Sequence, residues 1–369
     1  MAAWVRLLIA CLATALLAAC GPREPVRIGF IATLTGRLSD LGEAGRNGAQ
    51  IAVDEINAAG GIRGRPVELI VQDDAQSPEK AIEAINHLRQ VGVELVIGPM
   101  TSSMAEVILP IAQKSGIVLI SPTVTAHKFF GRDDNLFLIM PSAREDARSS
   151  ARHHYQEEGA RRVAIIYDTR NLAYSESWLR EYLVPFQELG GEVVPVPFES
   201  GQDADADRIA RQALASRPDA VVMITGAADT ARLAQRVREL SPRPLLLGAA
   251  QWATTQRLIE LGGSAVEGLV VHNYFDNSAT GERFVRLQQQ YRERFRRDID
   301  FAGVTAYDAT QVAVAVLGAH TSGKRLREIL LAGGPFMGAD GPIAFDANGD
   351  NGRRPYVMVV RDGRFQILR

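Results

Sequence analysis

"VRIGFIATLTGRLSDLGEAGRNGAQIAVDEINAAGGIRGRPVELIVQDD", residues 26–74, reads as a strand, a helix and a second strand. The apolar run 26–33 suits a buried strand. Leu41, Ala44, Gly48, Ile51, Ala52, Ile56 and Ala59 then recur at the spacing of a helix with one apolar stripe. Gly60 and Gly61 stop that helix, because glycine enters the left-handed conformation without a Cβ clash, and Gly64 turns the chain into "VELIVQDD". Such a unit predicts a parallel sheet with helices packed on its faces.

The alternation continues with a helix opening near Pro78, the strand "ELVIG" (94–98), a helix from about Ser103 and the strand "GIVLIS" (116–121). After "LFLIMPSA" (136–143) a second series begins. It runs through "RRVAIIYD" (161–168), a helix from Ser175 to Leu189, "EVVPVPF" (192–198), a helix at 205–216, "DAVVMIT" (219–225), a helix at 229–240 and "PLLLGA" (244–249). The last third, with "LVVHNYFDN" (269–277), helices at 279–297 and 304–319 and a hairpin region at 340–368, reads as crossovers that return between the two halves. The expected fold class is α/β: two doubly wound parallel-sheet lobes joined by a multi-strand hinge. Lobe 1 takes residues 26–141 plus 275–334, and lobe 2 takes 142–274 plus 335–369. Ligands of open α/β sheets lie beyond the carboxyl ends of the strands, here in the cleft between lobes, and several connections at a hinge favour bending.

Composition narrows the function. The chain has 369 residues, 46% of them hydrophobic, and a formal net charge of −2, which suits two ordinary globular lobes and argues against a nucleic-acid partner. Residues 1–20, "MAAWVRLLIACLATALLAAC", carry one early charge at Arg6 and then an uncharged apolar run, the pattern of an export signal. Leu17-Ala18-Ala19-Cys20 resembles a bacterial lipobox, which implies that Cys20 is lipidated and becomes the first mature residue. The other cysteine, Cys11, lies in the discarded segment, so no disulfide is expected. Residues 21–25 are a short tether, and no later apolar run is expected to cross a bilayer. The expected location is the periplasm or cell envelope, anchored to a membrane by lipid.

"VIGPMTSSM" (96–104) breaks after a short strand and offers Thr101, Ser102 and Ser103 where a helix begins. Such hydroxyls cap orphaned backbone amides, or else they join those amides in holding a carboxylate or phosphate. Both readings stand on the sequence.

Residues 35–81 resemble the opening of the branched-chain amino-acid-binding family of type I periplasmic solute-binding proteins. The resemblance rests on Thr35-Gly36, Gly42, Gly48, Ala52, Ile56-Asn57, Gly60-Gly61-Ile62, Gly64, Asp73-Asp74, Pro78 and Ala81. "VIGPMTSS", "SPTVT", "DTRNLAYSE" and "AYDA" continue it to about residue 350. Asp73-Asp74 reads as scaffold at a strand end. The resemblance implies that the helix mouth after the third strand and the loop after the fourth grip a ligand carboxylate, with Ser102 and its neighbour Ser103 in the first and Thr123 and Thr125 in the second. It implies an aromatic wall in lobe 2, for which Tyr174 is the candidate.

Three positions depart from the amino-acid binders. The family's tyrosine after "VVMIT" aligns with Ala227, and its glutamate after "LLLG" falls at Ala250 or Gln251. A frequent aromatic position in lobe 1 is Leu41. An ammonium buried without a counter-charge is costly, so a free α-amino acid is a doubtful ligand, whereas Gln251 suits an amide or hydroxyl and Trp252 a flat or apolar body. The ligand-binding candidates are therefore Leu41, Ser102, Ser103, Thr123, Thr125, Tyr174, Gln251 and Trp252.

Enzyme readings find no support in motifs. His87, His127, His153, His154, His272 and His320 show no metal-ligand spacing, and His153-His154 reads as the solvated face of a charged helix. "IATLTGR" lacks the dinucleotide fingerprint and no Walker loop occurs, so neither cofactor nor metal is expected. "RERFRR" (292–297) reads as a solvated face, opposite Phe284, Leu287 and Tyr291. The expected protein is a monomeric, lipid-anchored solute-binding component of an ABC importer, closing on a small carboxylate- or amide-bearing ligand such as an amino acid or analogue and engaging a permease. The alternative is a lipoprotein regulator that uses the same fold to contact a cell-wall synthesis enzyme.

Overall fold

The computed structural model describes residues 24–36, 38–201, 204–274, 276, 279–320, 325–352 and 355–368, so the export signal, Cys11, Cys20 and most of the tether lie outside the described residues. In chain order the strands are β1 (Val26–Ala32), β2 (Val67–Asp73), β3 (Leu95–Ile97), β4 (Val118–Ser121), β5 (Leu136–Leu138), β6 (Arg162–Asp168), β7 (Glu192–Phe198), β8 (Ala220–Ile224), β9 (Leu246–Ala249), β10 (Val270–Asn273), β11 (Phe336–Gly338), β12 (Gly341–Ile343), β13 (Tyr356–Arg361) and β14 (Arg364–Ile367). The α-helices are α1 (Ser39–Ala58), α2 (Pro78–Gln90), α3 (Ser102–Ser115), α4 (Ala143–Arg152), α5 (Leu172–Glu188), α6 (Ala206–Ala215), α7 (Ala227–Leu240), α8 (Gln256–Gly262), α9 (Glu282–Phe295), α10 (Phe301–Ala319) and α11 (Leu326–Ala332).

Five strands form an all-parallel sheet in the order β2-β1-β3-β4-β5. Seven form the second sheet, β14-β13-β10-β9-β8-β6-β7, in which β13 runs antiparallel to both β10 and β14 and the other pairs are parallel. "LFLIMPSA" thus contributes β5, the last strand of the first sheet, before the chain crosses over. In each sheet the order reverses beside the first strand of its series, between β1 and β3 and between β6 and β8, which opens a crevice at the carboxyl ends.

The first sheet is held by α1 and α10, which cross closely. A Cβ at Gly48 would lie 1.9 Å from the Gly303 carbonyl oxygen, so only glycine fits there. Contrary to the sequence expectation, α10 is long and apolar enough to span a bilayer, with Asp308 its one charge; 72% of that stretch is buried inside the protein, and it packs as a core helix. Asp308 Oδ1 accepts the Ala339 N–H at 2.6 Å and ties the β11–β12 hairpin to this helix. Phe345 then meets Phe137 edge-on, and Leu138 N–H donates to the Gly349 carbonyl at 3.0 Å. Residues 336–351 therefore pack on the first sheet, whereas the sequence division gave all of 335–369 to the second lobe; β13 and β14 do join the second sheet.

Asp73 and Asp74 act locally. Asp73 accepts from Leu34 N–H and the Thr35 hydroxyl, and Asp74 accepts from the Thr33 hydroxyl at 2.6 Å, fixing the loop after β1. Three of the four arginines of "RERFRR" are paired: Arg292 with Asp298, Arg294 with Asp54 on α1 and Arg297 with Glu260. The expected solvated histidine pair is corrected at His154. It lies in a five-residue π turn, His153–Glu157, is buried, and bonds the Tyr182 hydroxyl through Nδ1 at 2.9 Å.

Candidate functional site

Between the lobes lies a cavity with an empty volume of about 290 Å³. Leu41, Met100, Ser102, Thr123, Thr125 and Phe301 line it from the first lobe and its crossover, and Asn171, Tyr174, Gln251 and Trp252 from the second. Apart from Leu41 and Phe301, near the starts of α1 and α10, every lining residue follows the carboxyl end of a strand: β3, β4, β6 or β9. Seven of the eight residues singled out from sequence, all but Ser103, meet here. Sequence reasoning missed Met100, Asn171 and Phe301. The first two stand inside "VIGPMTSSM" and "DTRNLAYSE", where only hydroxyls and aromatics had been weighed.

The hydroxyls at the mouth of α3 do not cap their own helix. Thr101 is the N-cap residue in extended conformation and makes no side-chain cap bond; its hydroxyl turns to Gln76 Oε1 at 3.4 Å. Ser102 Oγ accepts the Ala126 N–H at 3.3 Å, which leaves its own proton to donate. Ser103 stands outside the cavity and bridges the lobes, its Oγ accepting Ala173 N–H at 3.2 Å and its N–H donating to Asn171 Oδ1 at 3.1 Å. Thr123 differs from expectation too, because its hydroxyl donates to the Met100 carbonyl at 2.5 Å and retains only acceptor capacity toward a ligand. Thr125 is buried at the cavity wall, its backbone carbonyl accepting Ala143 N–H at the start of α4.

The second-lobe wall is aromatic and neutral. Tyr174 meets Trp252 edge-on with ring centroids 6.0 Å apart. The Tyr174 hydroxyl is buried beside the Trp252 backbone with no acceptor for its proton, and burial, with Asp146 as the next cause, raises it well above the ordinary phenol range, so it stays protonated. Asp146 lies buried in α4, accepts Trp178 Nε1–H at 2.8 Å, and is pushed up to about 8 by burial. Trp252 sits in the 3₁₀ turn Gln251–Ala253, with its indole 3.7 Å from where a Cβ on Gly226 would be; Leu38, from the opposite lobe, approaches the same point at 3.1 Å. Gln251 Nε2 donates to Asn273 Oδ1 at 2.9 Å, Asn273 Nδ2 donates to Thr254 Oγ1 at 2.9 Å, and Thr254 Oγ1 donates to the Gln251 carbonyl at 2.7 Å. That ring of bonds holds the amide in place.

The lobes also touch outside the cavity. Thr255 Oγ1 donates to Asp40 Oδ2 at 2.9 Å, Gln76 Nε2 donates to the Arg170 carbonyl at 3.2 Å, and His127 N–H donates to Ser177 Oγ at 3.0 Å. An arrangement of this kind can enclose a small molecule, hold an acceptor group at one end through hydroxyl donors and pack an apolar body against the aromatic wall.

The sequence model of the periplasmic binding protein family matches residues 25–364. A Leu/Ile/Val-binding protein of Rhizobium johnstonii is 30% identical over 254 residues, 68% of each chain. Among solved structures, a leucine-binding protein from Thermotoga maritima superposes with a TM-score of 0.83 at 26% identity, covering 93% of this chain and 98% of that one. A solute-binding protein from R. palustris in complex with benzoate has a TM-score of 0.82 at 18% identity, covering 94% and 96%, a likeness of fold.

Proposed function

The chain belongs to the branched-chain amino-acid-binding family of type I periplasmic binding proteins, and from that premise we propose that it is the solute receptor of an ABC importer, closing its lobes on a small carboxylate- or amide-bearing ligand. The observation that carries this reading is the cavity shared by both lobes, with Ser102 and Thr125 on one wall and Tyr174 and Trp252 on the other. Closure buries the ligand away from water, where a few hydroxyl bonds fix its orientation, and the closed form is what a permease receives. The receptor works in the periplasm, held to a membrane through lipid on Cys20. A Cys20→Ala chain should lose all partition into detergent, and unchanged partition would refute the anchor.

Native mass spectrometry of the protein purified without added ligand tests the receptor role. One small molecule bound per chain is expected. Removing it by unfolding, dialysis and refolding should lower Tm, and returning it should restore Tm. A chain that carries no small molecule, and whose Tm answers to none in a cell extract, would contradict the reading.

A further inference from the structure

Among the described lining residues of the cavity there is no carboxylate and no cation, yet donors converge on it. Ser102 keeps a proton to donate because its oxygen is already occupied by a backbone N–H. The Tyr174 hydroxyl, buried with no acceptor for its proton, is a second neutral donor. Gln251, in the segment where the family's acidic residue falls at Ala250 or Gln251, is held by Asn273 and offers a neutral amide. Three acids of the same lobe stay out of the lining: Asp146 accepts Trp178 Nε1–H, Asp168 accepts Arg170 N–H and Ser200 N–H through Oδ1, and Asp229 accepts the Ser200 hydroxyl at 2.5 Å. Trp252 closes the remaining space against Gly226. An anion is stable among several neutral donors that share its charge, whereas an ammonium in the same surroundings loses its hydration and gains no counter-charge.

We propose that the ligand is a monocarboxylate on a branched or aromatic apolar body and carries no ammonium group. Its carboxylate accepts from Ser102 and Thr125, and its body packs between Leu41, Phe301 and Trp252. This inference deepens the receptor reading and rests on it.

Calorimetry on the full chain with pairs of probes that differ only in the ammonium group tests it: 4-methylpentanoate against leucine, and 3-phenylpropanoate against phenylalanine, with 4-methylpentanamide as a neutral control. In at least one pair the carboxylate should bind at least tenfold more tightly than its amino acid. An amino acid that binds as tightly as its partner, in either pair, overturns the proposal. Binding of the amide alone overturns the carboxylate while the receptor role stands. No binding by any probe overturns the proposal as stated, and the receptor role is then decided separately by the co-purified molecule. Gln251→Glu supplies the missing charge and should raise the affinity for the amino acids at least tenfold while weakening the carboxylates. A folded Gln251→Glu chain with unchanged preference contradicts the role given to Gln251; if that variant does not fold, the wild-type pairs decide.

Discussion

The two walls of the cavity are built differently. On the first-lobe wall the polar groups are hydroxyls ordered by backbone partners, Ser102 by the Ala126 N–H and Thr123 by the Met100 carbonyl. On the second-lobe wall the polar groups are the Tyr174 phenol, whose proton has no acceptor, and two amides tied to other residues, Gln251 to Asn273 and Asn171 to Ser103 N–H, beside the Trp252 indole. The first wall keeps the hydroxyls that the family resemblance implies, with Leu41 at its aromatic position, and the second departs at Ala227 and at Ala250 or Gln251. A hydroxyl grip suits any carboxylate. On the proposed reading the rest of the ligand is chosen by the opposite wall.

If the second wall works through apolar contact, Trp252→Ala should show the largest effect. Removing a buried indole costs about 3–5 kcal/mol of stability, and ligand affinity should fall with it. Chemical denaturation of the unliganded chain checks the first number, and an effect below about 1 kcal/mol would mean that the indole is not packed as described. Next comes the first wall. Ser102→Ala with Thr125→Ala should weaken binding by roughly 2–4 kcal/mol, from two lost bonds to a charged group, and lower stability by less. Equal affinities in wild type and double variant, measured by calorimetry with the cognate ligand, would remove the hydroxyls from the site. Ser103→Ala sharpens the contrast from outside the cavity. It deletes one bond between lobes and should cost about 0.5–1.5 kcal/mol, read as faster ligand release with the same preference among ligands.

The smallest effect is a pH dependence beneath the second wall. Burial pushes Asp146 up from 3.8 to about 8, so the native chain keeps a proton that the unfolded chain has lost, and this contribution to stability is lost as pH rises toward 8. Burial lowers His154 and His272 from 6.5 to about 3, so the unfolded chain takes up those protons first and their contribution is lost as pH falls below 6.5. Asp146→Asn should flatten the decline of Tm between pH 6.5 and 8 and steepen the acid side between pH 3.8 and 6.5, where the two histidines then act unopposed. An unaltered profile would show that Asp146 does not retain its proton.

The βαβ series was legible because each element carries its own period. β1 is a buried run and α1 an apolar stripe ended by glycines, and neither needs a distant partner to be recognised. The hairpin β11–β12 was misassigned because its place depends on Asp308 and Phe137, far away in sequence. At the mouth of α3 the residue types were legible and their directions were not. Successive helical side chains turn by about 100°, so of three consecutive hydroxyls only Ser102 faces the cavity while Ser103 faces the other lobe. His154 escaped for a related reason, since its charged neighbours suggested an exposed helix and the π turn that buries it has no signature in composition. Met100 and Phe301 gave no signal, because an apolar side chain looks the same in sequence whether it packs on protein or on a ligand.

A crystal structure of the protein with its co-purified ligand retained would test the division between the two walls most directly. A carboxylate within hydrogen-bond distance of Ser102 and Thr125, with an apolar body against Trp252 and no charged group beside Gln251, is the expected result. A ligand whose ammonium lies against Gln251, or whose carboxylate is held away from Ser102 and Thr125, would contradict it.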